Sequence, residues 1–113
     1  MNNDKSRRIL EKIVTHIDHT LEYCEGQTFE SFMDNRMLQE ACIFNLLQIG
    51  ELSKLGLDEG FVVSYPHIPW RQMYGMRNRL VHDYEGIRLQ IVWETISTDF
   101  PSLKTSLEAI LAK

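Results

Sequence analysis

Arg77, Asn78 and His82 lie within six residues of one another, and Tyr84 follows two residues later. Arginine and asparagine can bind phosphate oxygens, and a histidine can move protons near neutral pH. An arginine, a histidine and a phenol close together make a phosphodiester site that needs no metal. At 100° per residue, Arg71, Gly75, Asn78 and His82 share one arc of a helix. Gly75 is expected to let another backbone approach there.

Met73, Met76, Leu80, Val81 and Tyr84 occupy the neighbouring arc, and Arg77 falls in its middle. A guanidinium on the apolar side needs a partner or a polar cavity, because an unpaired buried charge costs several kcal/mol. Glu51 is the expected partner, with Asn45 and Gln48 on adjacent turns of an otherwise apolar helix. Those three polar groups either form a satisfied internal network that orients the bundle or line a site and aim Arg77 into it.

The elements that position these residues follow from periodicity. Leu10, Ile13, Val14, Ile17, Leu21 and Cys24 step by three or four, which predicts a first amphipathic helix over Lys5 to Cys24, stopped at Gly26. Thr28 with Glu30 and Ser31 marks the next start, and a second helix runs from about Asp34 to Leu57. Its apolar residues wrap much of the way round, as expected of a central helix or one half of a dimer interface. Gly60, Pro66 and Pro69 punctuate a connector with a short extended or single-turn segment around Phe61 to Tyr65. Pro69 then opens a third helix through Trp70, Met73, Met76 and Leu80, broken at Gly86. A fourth runs from Ile87 to about Thr98 and a fifth from Pro101, with Phe100 and Pro101 at the join. The fold class is therefore all-α, an antiparallel bundle of four to five helices forming a single domain over residues 1–113.

Composition sets the outer limits. A chain of 113 residues, 43% hydrophobic and 25% charged, can bury one core and has the make-up of a soluble globular protein. Cys24 and Cys42 have no second pair near them, so reduced, buried thiols are expected and neither a zinc site nor a redox pair. His16 and His19, three apart, lack a third convergent ligand. His67 sits between prolines and is expected to be structural or solvent-facing. No apolar run reaches membrane-spanning length and the first eight residues are polar, which leads to an expectation of a cytoplasmic protein. A net charge of −4 argues against general coating of nucleic acid, although Arg71, Arg77 and Arg79 form a local basic cluster with no acid between them.

The string Met76-Arg77-Asn78-Arg79-Leu80-Val81-His82-Asp83-Tyr84 resembles the HepT-like branch of the HEPN superfamily. In that branch an arginine and a histidine are separated by four residues and a tyrosine stands two beyond the histidine. Ile49-Gly50-Glu51 resembles the family's Gly-Glu step, and Tyr65-Pro66-His67-Ile68-Pro69-Trp70 its proline-tryptophan lead-in, so the likeness covers most of the chain. The resemblance implies a metal-independent endoribonuclease without cofactor, acting as a homodimer whose two motif copies face a shared cleft. Arg77 and His82 would be catalytic, Asn78 and Glu51 supporting, and a 2′,3′-cyclic phosphate the expected product end. It further implies the toxin of a type VII-like toxin–antitoxin pair. The partner would be a MntA-like minimal nucleotidyltransferase that transfers AMP to Tyr84, adding bulk and negative charge that block RNA. The competing possibilities are a non-catalytic adaptor that presents the same fold to a nucleotidyltransferase, and a plain bundle held by an Arg77–Glu51 ion pair.

Overall fold

A computed structural model describes residues 3–82 and 88–113. These are helical, with no strand among them. The long helix α1 (Asn3–Cys24) buries Leu10, Ile13, Val14, Ile17 and Cys24, the stripe its spacing dictates. It ends where Gly26 takes φ of 76°, a left-handed turn that a side chain would resist.

Thr28 caps the short helix α2 (Phe29–Met33) in a reciprocal box. Its Oγ1 accepts from the Ser31 amide at 3.1 Å, and Ser31 Oγ accepts from the Thr28 amide at 2.8 Å. Asn35 Oδ1 then caps α3 (Arg36–Leu55) by accepting from the Leu38 amide at 3.0 Å.

Helix α3 lies between α1 and α5 (Trp70–His82), the central position its broad apolar surface predicts. The connector before α5 contains a further helical turn and a half, α4 (Glu59–Ser64), which buries Phe61 where a short extended segment was also open. Pro69 stands just ahead of α5, and its carbonyl accepts the Met73 amide at 3.0 Å.

The expected break at Phe100 and Pro101 is absent. Helix α6 (Leu89–Glu94), a π-helical segment (Thr95–Asp99) and α7 (Phe100–Leu111) form one continuous run. Pro101 has no N–H to give the Ser97 carbonyl, and its ring crowds that group. The helix accommodates this by widening into a π turn, closed by the Phe100 amide on Thr95 O, instead of stopping. Helix α7 packs on α1, where Arg7 Nη2 donates to the terminal carbonyl of Leu111 at 2.6 Å and Lys104 Nζ meets Asp18 Oδ1 at 2.8 Å. Phe32 of α2 is fully buried with its ring 5.3 Å from that of Trp93, tying α2 to α6.

Cys24 and Cys42 are free, buried thiols as expected, but α1 and α3 bring their sulfurs to 3.6 Å of each other, a pairing that eighteen residues of separation concealed. The contact with Cys24 and burial together push the Cys42 thiol well above its ordinary range. Among the described residues no helix is long and apolar enough to cross a membrane.

Candidate active site

Helix α5 carries the site, and its start is fixed from behind. Trp70 Nε1 donates to the Tyr65 carbonyl at 3.0 Å, pinning the first turn to the connector. Met73 and Leu80 are buried and Met76 packs against the core, so the inner face of α5 is set by apolar contact. Arg77 lies at the border of that face and solvent.

The close approach of α3 and α5 is made by Gly50. A Cβ on Gly50 would stand 2.2 Å from Arg77 Cβ and 2.9 Å from the Met73 carbonyl oxygen, so only a residue without a side chain permits this crossing. Gly75, where the sequence suggested an approaching backbone, has nothing within 4 Å of a Cβ placed there. It faces outward, since the packed side of α5 is the one that carries Met73 and Leu80.

Because Gly50 brings the helices together, the next residue reaches Arg77. Arg77 Nε donates to Glu51 Oε2 at 2.8 Å, and Arg77 Nη1 donates to Asn78 Oδ1 at 2.9 Å. The Arg77 and Glu51 side chains are 26% and 40% exposed, so the pair adds little to stability and acts chiefly to hold the guanidinium in one orientation. Asn45, by contrast, turns to α1, where its Oδ1 accepts from His16 Nδ1 at 2.7 Å. Of the polar groups grouped on adjacent turns of α3, Asn45 thus serves α1 and Glu51 serves α5.

His82 is the last residue of α5 and is exposed. It stands five positions after Arg77, about 7.5 Å along the axis and roughly 140° around it, with Asn78 between the two directions. Tyr84 lies outside the described residues.

Two residues beside the Arg77–Glu51 pair escaped the sequence. Lys54 Nζ donates to Tyr74 Oη and sits 4.4 Å from the Tyr74 ring centroid. The Asn78 amide and the Lys54 ammonium beside it hold the Tyr74 phenol below its ordinary pKa. The signal was spacing: Tyr74 is four residues before Asn78 on α5, and Lys54 three after Glu51 on α3. Two separate contacts therefore cross from α3 to α5, Glu51 with Arg77 and Lys54 with Tyr74.

A groove of about 400 Å³ lies elsewhere, between α3, α5 and the π-helical run, lined by Leu46, Ile49, Met73 and Phe100 with His67 and Asp99. It includes neither Arg77 nor His82. At the candidate site Arg77 is partly exposed and His82 exposed. His16 and His19 meet edge to face, ring centroids 6.5 Å apart, with His16 bonded to Asn45 and His19 stacked on Tyr23.

The family described as Ribonuclease HepT-like matches residues 13–110, a span that contains Glu51, Arg77 and His82. The chain belongs to the HepT-like family. A protein of Caldanaerobacter subterraneus subsp. tengcongensis, called "Putative RNase TTE0752", is 35% identical over 95% of each chain. "Probable ribonuclease HepT" of Thermococcus cleftensis is 38% identical over 89% of this chain and 91% of its own. "Putative RNase MJ1380" of Methanocaldococcus jannaschii is 29% identical over 97% and 100%. No solved structure matches this HepT-like chain.

Proposed function

We propose that this protein is a metal-independent endoribonuclease. The observation that carries the proposal is the Arg77 guanidinium, held by Glu51 and Asn78 on the same helix as an exposed His82, in a member of a ribonuclease-type family. His82 takes the proton of a ribose 2′-hydroxyl, O2′ attacks phosphorus, and the bond from phosphorus to O5′ breaks with a proton returned to O5′. Arg77 stabilises the charge that builds on the phosphorane oxygens. The products are a 2′,3′-cyclic phosphate and a 5′-hydroxyl.

The working unit is a homodimer. Met37, Phe44 and Leu55 are 82%, 56% and 67% exposed on one side of α3, at spacings of seven and eleven residues that keep them in a single stripe. Glu51, seven residues after Phe44, lies in the same stripe, so a partner on this apolar surface borders the site. The roughly 140° between Arg77 and His82 on their own helix suits a cleft in which two copies complement each other.

In the cell this activity is that of a toxin, silenced when a MntA-like minimal nucleotidyltransferase adds AMP to Tyr84. Added bulk and charge two residues from His82 exclude an anionic substrate. The test is end analysis of RNA cut in EDTA by protein whose mass shows it unmodified. Cyclic phosphate ends are expected. Free 3′-hydroxyl ends, or activity only with added divalent cation, contradict this chemistry. Intact RNA together with tight binding of a nucleotidyltransferase replaces it with the adaptor.

A further inference from the structure

The two α3–α5 cations at the site are balanced differently. Arg77 faces the Glu51 carboxylate, whereas Lys54 makes no ion pair among the described residues and gives its ammonium to Tyr74. Glu51, Arg77 and Lys54 therefore sum to one positive charge, and Lys54 is the member that no acid neutralises. In a protein of net charge −4 a polyanion is held by such local charge or not at all.

Tyr74 is arranged to donate outward. A phenol oxygen has acceptor capacity and one proton. Lys54 donates to this oxygen. With Lys54 as donor to its oxygen, the phenol has its own proton left for a ligand oxygen. Lys54 keeps two further ammonium protons. Tyr74 and Arg77 are three residues apart on α5, neighbours on the helix surface, so one stretch of backbone can touch both.

We propose that Lys54 and Tyr74 form a second phosphate subsite, which holds the phosphodiester adjacent to the one cut beside Arg77. The proposal rests on the ribonuclease reading and adds to it a minimum substrate: RNA with at least two consecutive phosphodiesters. Tyr74 donates its O–H to a non-bridging oxygen of the neighbouring phosphate, and Lys54 supplies the charge.

The experiment compares wild type, Lys54→Ala, Lys54→Arg and Tyr74→Phe on a dinucleoside monophosphate and on the same substrate extended by one nucleotide at either end. Wild type is expected to gain about tenfold in kcat/KM on extension at one of the ends, chiefly through KM. Lys54→Ala and Tyr74→Phe lose most of that gain yet cut the single-phosphate substrate within about twofold of wild type, and Lys54→Arg restores it. On a 2′-O-methylated, uncleavable RNA, Lys54→Ala also lowers the salt slope of binding by about 0.7. Equal losses on both substrates place these residues at the scissile phosphate and overturn the subsite, as does no loss on either. Wild type that neither binds nor cuts RNA removes the ribonuclease reading and the subsite together.

Discussion

Gly50 of α3 lies directly beneath Arg77 of α5, so close that a Cβ on the glycine would come within 2.2 Å of the Cβ of the arginine. The same contact sets helix spacing and, through the adjacent Glu51, the direction of the guanidinium. Packing and the proposed chemistry therefore share one residue pair, and substitutions there are expected to affect both.

Gly50→Ala is expected to destabilise the protein by about 1–3 kcal/mol, because the nearest obstacles include the backbone carbonyl of Met73, which cannot rotate away. Gly75→Ala meets open space in the middle of α5 and is expected to stabilise by about 0.5–1 kcal/mol. Urea unfolding of both variants checks the pair. A neutral Gly50→Ala shows that α3 and α5 are not in this contact.

Glu51→Ala should leave stability within about 1 kcal/mol of wild type, since both partners of the ion pair are partly exposed. Its effect is expected in catalysis, where a guanidinium free to swing lowers kcat about tenfold or more. Glu51→Gln keeps an acceptor for Nε and should retain more activity than Glu51→Ala. Equal rates for wild type and Glu51→Ala mean that the carboxylate does not position Arg77.

Spectrophotometric titration should reveal one tyrosine that ionises ahead of the others, Tyr74, whose phenolate is favoured first by Asn78 and then by Lys54. The sign follows from the folded pKa lying below the unfolded one: the shift contributes stability fully above the unfolded phenol range, and that contribution fades as pH falls through the folded value. Tyr74→Phe removes the early step, and Lys54→Ala moves it upward. An early step that survives Tyr74→Phe belongs to another phenol.

Phe44→Asp puts a charge in the middle of the exposed stripe of Met37, Phe44 and Leu55. Sedimentation should show the variant as a monomer with an intact helical spectrum, and its RNA cleavage should fall with its dimer fraction. A fully active monomer contradicts the shared cleft.

Much of this architecture was legible because the chain states it locally. The stripe from Leu10 to Cys24, the stop at Gly26 and the Thr28 cap each depend on neighbours within one or two turns. The Arg77–Glu51 pair was legible for a different reason, since a charge within an apolar arc demands a partner and α3 offered one. Periodicity says which face of a helix is apolar but not which helix meets it, so Asn45 was grouped with Glu51 although it serves His16 on the other side. The same limit exchanged the roles of Gly75 and Gly50. Lys54 and Tyr74 stand on polar or mixed faces, where only their one-turn spacing from Glu51 and Asn78 marks them. Pro101 read as a break because a proline forbids the α hydrogen bond, and nothing local shows that a π turn can absorb it.

The most direct test of the account is cleavage of a mixed RNA pool in EDTA by wild type and by His82→Ala, both shown by mass to carry no AMP. The account predicts cutting by wild type and loss of about a hundredfold or more in the variant, the scale of a missing general base. Equal cutting by the two proteins would contradict it, because the activity would then belong to another site or another protein.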